Sequence, residues 1–104
     1  MYTVRCEAIV NTHPAIYRSA LVGIGKEGEK EPVIVAEPWP QHWPQTKERK
    51  SRLVKELQGL CAEHELTASI KSVLIRKALP VDIRHNSKIF REQLAPWAAK
   101  ELGR

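Results

Sequence analysis

Apolar positions along this chain recur with two periods, and the switches between them mark its elements. Over residues 3–13, Val4, Ala8, Ile9 and Thr12 fall on one side and Glu7 and Asn11 on another, the spacing of a short helix. Thr3 is a candidate N-cap and Pro14 a stop. Ala15–Ile24 is apolar and β-branched with incomplete alternation, which predicts a strand buried on both faces near its end. Gly25–Glu31 is polar with two glycines, and Pro32–Ala36 is apolar again. That succession predicts a hairpin whose glycines permit positive φ.

Glu37–Gln45 carries three prolines, which exclude a regular helix and a central strand. Packing of Trp39 and Trp43 onto the domain is the better reading of this connector, ahead of a Pro-rich recognition motif. Thr46 to Glu65 predicts the longest helix, with Leu53, Val54, Leu57, Leu60 and Cys61 forming one apolar stripe. Glu48 and Arg52 make an i, i+4 pair, and Lys47–Arg52 reads as a solvated helix start. A third strand lies within Thr67–Arg76, centred on 72–76, and Pro80 ends it. A polar loop then leads to Lys88. Phe90, Leu94, Trp97 and Ala98 predict a last helix, capped by Asn86 or Ser87 and kinked or divided by Pro96. The order helix, strand, strand, helix, strand, helix predicts an α+β fold: a small compact domain with a central, mostly antiparallel sheet of about three strands packed against helices.

Composition narrows the partners. The 104 residues are one domain's worth, with a net charge of +5 that favours anionic partners in general. The charges are interspersed with acids, and no aromatic residues alternate with basic ones as a stacking platform for nucleic acid requires. No nucleic-acid partner is therefore expected. Cys6 and Cys61 fit no disulfide framework, which argues for a reducing, cytoplasmic location. No signal-peptide h-region and no apolar run of membrane-spanning length is present, so no membrane span is expected.

Several constellations carry candidate chemistry. Cys61 and His64 have a C-x-x-H spacing, but a zinc site needs three or four ligands, and a buried thiol beside an exposed histidine is the better reading. Asp82, His85 and Ser87 are close in sequence without nucleophile-elbow glycines, so loop polarity is preferred to a triad. Gly23-Ile24-Gly25 lacks a third glycine and leads into a turn, which favours a hairpin over a dinucleotide loop. Lys88 stands where a polar loop meets an amphipathic helix whose apolar stripe fixes its base.

Two motifs give Lys88 a larger meaning. Leu79-Pro80-Val81-Asp82-Ile83-Arg84-His85-Asn86-Ser87-Lys88-Ile89-Phe90-Arg91, followed by Leu94, resembles the last core motif of the AMP-forming synthetases, the adenylate-forming acyl-CoA synthetase and ligase superfamily. That motif reads Leu-Pro, a short polar loop, Gly-Lys-Ile, one variable residue, Arg, two variable residues, Leu. Glu7 to Ile16 with His13-Pro14, then Ser19 to Ile24, resembles the start of the family's small C-terminal domain. The resemblance spans Glu7 to Leu94, and its details are most similar to the fatty acyl ligases of olefin biosynthesis, the β-lactone synthetases. Ser87 stands where the family has glycine, and the loop from Pro80 to Lys88 is two residues longer than the common form. The family's hinge signature and large N-terminal adenylation domain are not in this sequence.

The resemblance implies that residues 1–104 are the small mobile C-terminal domain of an ATP-dependent ligase. Lys88 is then the catalytic lysine and phosphate contact, with His85, Asn86 and Ser87 as its supporting loop. It would stabilise the charge that develops as a carboxylate attacks the α-phosphate of ATP. The resemblance further implies a fatty or β-hydroxy carboxylic acid as substrate, and the large domain as partner. Mg2+ would accompany the nucleotide, held mainly outside this chain. CoA would serve in the thioester branch, and ring closure by the substrate's own hydroxyl in the lactone branch. No metal site and no bound cofactor are expected on the fragment alone, which is expected to be inactive. The rival reading is a free-standing basic module that binds nucleic acid, or a protein through Trp39 and Trp43.

Overall fold

The computed structural model describes residues 3–26, 28, 30–82, 84 and 88–103. The elements run α1 (Thr3–Val10), β1 (Ile16–Ile24), β2 (Glu31–Pro38), a 3-10 turn (Pro40–His42), α2 (Lys47–Glu63), β3 (Ser72–Ile75), β4 (Val81–Asp82), β5 (Lys88–Ile89) and α3 (Arg91–Glu101). The main sheet has the order β1-β2-β3, with β1 antiparallel and β3 parallel to the central β2. β4 and β5 pair separately as a short antiparallel ribbon. The α+β expectation holds, whereas the ribbon is not visible in the hydrophobic pattern.

The pleat of β2 divides the interior in two. Ile34 and Ala36 point to a core shared with α1 and α2, and Val33 and Val35 to a core shared with α3. This is why residues 32–36 read as a continuous apolar run. β1 follows the same rule from Ala20 onward: Ala20, Val22 and Ile24 join the α3 side and Leu21 the α1/α2 side. Ile16 has the parity of Ala20 yet lies with Leu21, because a register shift between Ile16 and Arg18 flips the alternation. The same irregularity leaves Tyr17 exposed, its ring centroid 4.4 Å from that of Trp39. The hairpin turn is as expected, with Gly25 at φ 105° and Gly28 at φ 86°.

Three local expectations are corrected. The inward face of α1 is Cys6, Glu7 and Val10, with Ala8 exposed, so Glu7 lies on the buried side. A carboxylate is drawn inward because partners await it, which an apolar pattern cannot show. β2 runs through Glu37 and Pro38, where the prolines predict no central strand. β3 pairs only as far as Ala36, so Pro38 removes no donor from that side. α3 begins at Arg91 with Phe90 at its N-cap position and no side-chain cap, later than a cap at Asn86 or Ser87 requires. Pro96 does not divide α3. Its missing N–H would have met the carbonyl of exposed Glu92, a group that water can serve.

α2 matches its prediction closely. Thr46 Oγ1 accepts a hydrogen bond from Arg49 N at 3.1 Å, and Leu53, Leu57 and Cys61 are buried at i, i+4 and i+8. Trp43 packs half-buried against the same core, whereas Trp39 stays 39% exposed. Leu57 has no solvent exposure. Leu57→Ala is therefore expected to lower unfolding free energy by about 3 kcal/mol in chemical denaturation. Ala8→Ser, at a position that the pattern buries and the structure exposes, should cost no more than about 0.5 kcal/mol.

Candidate functional site

The ribbon explains where Lys88 points. Val81 pairs with Ile89 and Asp82 with Lys88. Val81 and Ile89 pack half-buried on the α3-side core. Successive residues of a strand face opposite ways, so seating Ile89 on the core turns Lys88 outward, and it is exposed. Lys88 thus lies on the returning strand of a ribbon, not in the loop where the sequence places it. Across from it, Asp82 Oδ1 accepts the Arg84 backbone N–H at 3.0 Å, an Asx turn, with Arg84 Nε 4.0 Å away. His85, Asn86 and Ser87, expected to support Lys88, lie outside the described residues.

Both ends of the lysine-bearing segment are tied to buried carboxylates. On the outgoing side, the Leu79 N–H donates to Glu37 Oε1 at 2.8 Å, and the same oxygen accepts from Arg18 Nε at 2.8 Å. On the returning side, Arg91 Nη2 donates to both oxygens of Glu7 at 2.7 Å. Glu7 Oε2 also accepts the Leu21 backbone N–H at 2.7 Å. β1 is an edge strand, and this bond occupies an N–H that the ladder leaves free. Between the two anchors, the Phe90 N–H donates to the Pro80 carbonyl at 2.8 Å and closes the base of the ribbon. Glu7 and Glu37 are 8% and 7% exposed, so their oxygens depend on these partners.

The structure therefore joins the two sequence motifs physically: Glu7 comes from the first and Arg91 from the second. Sequence reasoning misses both carboxylates as participants. The hydrophobic pattern puts Glu7 on a polar helix face and Glu37 in a connector. The one signal that could pair Glu7 with Arg91 is the shared resemblance, since an ion pair across 84 positions leaves no periodic trace.

The other candidates resolve into structural roles. Cys61 is buried, and burial pushes its thiol up; a hydrogen bond with Thr67 acts in the opposite direction, and nearby Cys6 adds to the rise. His64 is exposed at the end of α2. Among the described residues, no group of three or more His, Cys, Asp or Glu side chains could hold a metal ion. Gly23 pairs with Pro32 in the ladder, and Gly25 begins the turn, as a hairpin requires. His13 Nδ1 accepts the Ala15 N–H at 3.1 Å, which leaves Nε2 to carry the proton toward Glu56 Oε1 at 2.8 Å. This histidine links α1 to α2.

No family model matches the chain. It is 41% identical over 101 residues to an olefin beta-lactone synthetase of Xanthomonas campestris pv. campestris, covering 97% of this chain. It is 37% identical over 102 residues to an olefin beta-lactone synthetase of Stenotrophomonas maltophilia, covering 98%. The chain spans about 18% of the length of each relative. A benzoate CoA ligase from Burkholderia xenovorans has the same fold over 89% of this chain and 18% of its own, with TM-score 0.70 and 19% identity.

A protonated, buried thiol is a poor nucleophile. Cys6 and Cys61, both without solvent exposure, are expected to stay unmodified by a thiol-reactive dye at neutral pH and to react fully in guanidinium. Labelling of either thiol in the folded chain would contradict their buried placement.

Proposed function

The chain is homologous to the C-terminal portion of the AMP-forming ligases, and from that premise we propose that it is the small domain of an ATP-dependent acid ligase whose catalytic lysine is Lys88. One observation carries the reading. Lys88 is an exposed cation on a ribbon whose two ends are fixed to the buried interior. A carboxylate and the α-phosphate of ATP are both anionic, and each must approach the other for an acyl-adenylate to form. The Lys88 ammonium, a compact charge on a flexible stem, would contact both sets of oxygens and offset the charge that builds between them. Pyrophosphate leaves as the mixed anhydride forms.

The rest of the site belongs to a larger partner domain, in keeping with relatives about five and a half times as long. Mg2+ is implied with the nucleotide, but no cluster of ligands for it stands among the described residues, and no step is derived through it. The relatives' name supports a β-hydroxy acid as substrate and a lactone as product. In that second step the substrate's hydroxyl attacks the activated carbonyl and gives up its proton to solvent, a C–O bond closes the ring, and AMP leaves with the electron pair of the broken acyl C–O bond. CoA is not required. Movement of the small domain would withdraw Lys88 between the half-reactions.

In a ligase carrying this domain, Lys88→Ala is expected to slow ATP–pyrophosphate exchange by about a hundredfold or more, the effect of losing one donor to a developing anion. Consumption of preformed acyl-adenylate should be affected far less. Equal loss in both half-reactions would count against the assignment. Residues 1–104 alone should show no exchange.

A further inference from the structure

We propose that Glu37 and Glu7 are positioning residues for Lys88: they set the location of its ribbon by holding the two ends of residues 80–90. This rests on the reading of Lys88 given above and adds to it the groups that aim it.

The ribbon cannot hold its own position. Among the described residues it has two residue pairs, Val81 with Ile89 and Asp82 with Lys88. An isolated two-stranded pairing of any length is at best marginal in water. The ribbon's place on the domain must therefore come from its attachments. Apolar seating of Val81 and Ile89 is non-directional and permits sliding. The two carboxylates are directional. Glu37 holds a backbone N–H of the outgoing end, one residue before Pro80, at 2.8 Å. Glu7 holds the Arg91 guanidinium, three residues after Lys88, through both its oxygens at 2.7 Å. Charge-assisted bonds of this length fix relative position more tightly than neutral ones.

The carboxylates are in turn fixed from the other side. Glu37 sits at the end of β2 and is braced by Arg18, whose guanidinium carbon lies 4.8 Å from the Tyr17 ring centroid. Glu7 is braced by the Leu21 N–H of β1. Each anchor thus connects the ribbon to the main sheet. Misplacement of a catalytic group by about 1 Å costs up to about a hundredfold in rate. Loss of either anchor should accordingly impair adenylation while Lys88 itself is intact.

The test compares Glu37→Ala, Glu37→Gln, Lys88→Ala and Leu57→Ala in a full-length ligase carrying this domain. All are assayed well below their unfolding temperatures. Leu57→Ala controls for lost stability in the Glu37 comparison, because Leu57 lies in the core on the side of the sheet away from the ribbon. Consumption of preformed acyl-adenylate by the same preparations counts folded, competent enzyme. Glu37→Ala is expected to slow adenylation about tenfold relative to Leu57→Ala, with KM for ATP little changed and adenylate consumption preserved. Glu37→Gln keeps an oxygen for the Leu79 N–H and should recover most of that rate. Glu37→Ala matching Leu57→Ala, with Lys88→Ala slow, overturns the positioning role and leaves the function of Lys88 standing. A silent Lys88→Ala overturns both.

Discussion

The Glu7 carboxylate is the point through which three separate parts of this domain are held in register. It projects from α1, takes the N–H that edge strand β1 does not spend on its ladder, and receives the first residue of α3 through Arg91. Burying a carboxylate is costly unless its oxygens are paired and hydrogen-bonded, and here both accept bonds. The interaction therefore specifies an arrangement more than it adds bulk stability. α1 lies on one face of the sheet and α3 on the other, and the Glu7–Arg91 pair links the two. Glu37 repeats the design at the end of β2, where it gathers Arg18 and the backbone of Leu79.

Around these two acids the fold is governed by the pleat. Strict alternation in β2 feeds both cores, and one irregularity after Ile16 switches the parity of β1. The same alternation acts on the ribbon at small scale. Ile89 is apolar and packs on the core, so its neighbour Lys88 faces outward. The exposure of the lysine is thus a consequence of sequence order, Lys then Ile, on a strand whose ends are held. The chain that presents this cation spans about 18% of its relatives' length.

Elements with a strong period are legible in the amino-acid sequence alone. The i, i+4, i+8 burial of Leu53, Leu57 and Cys61, the glycine-permitted hairpin and the third strand near Ser72 all follow from spacing and turn chemistry. The misreadings share a cause. Polarity alone places Glu7 and Glu37 outside, yet both are buried by partners distant in sequence: Arg91 for the first, Arg18 and Leu79 for the second. The ribbon escapes notice because its strands, two residues each among the described residues, leave no period to read. Lys88 stands out through resemblance to a motif, and the resemblance says nothing about what holds it. The hydrogen bonds at Leu79 and Arg91 supply that.

Whether the buried acids act through the lysine can be measured as a coupling. A double-mutant cycle of Glu37→Ala and Lys88→Ala, read on the adenylation half-reaction, separates the alternatives. If Glu37 serves to place Lys88, its removal should have almost no further effect once the lysine is gone, and the two losses should be strongly non-additive. Full multiplicative loss in the double variant would contradict this, and would mean that Glu37 supports adenylation by a route independent of Lys88.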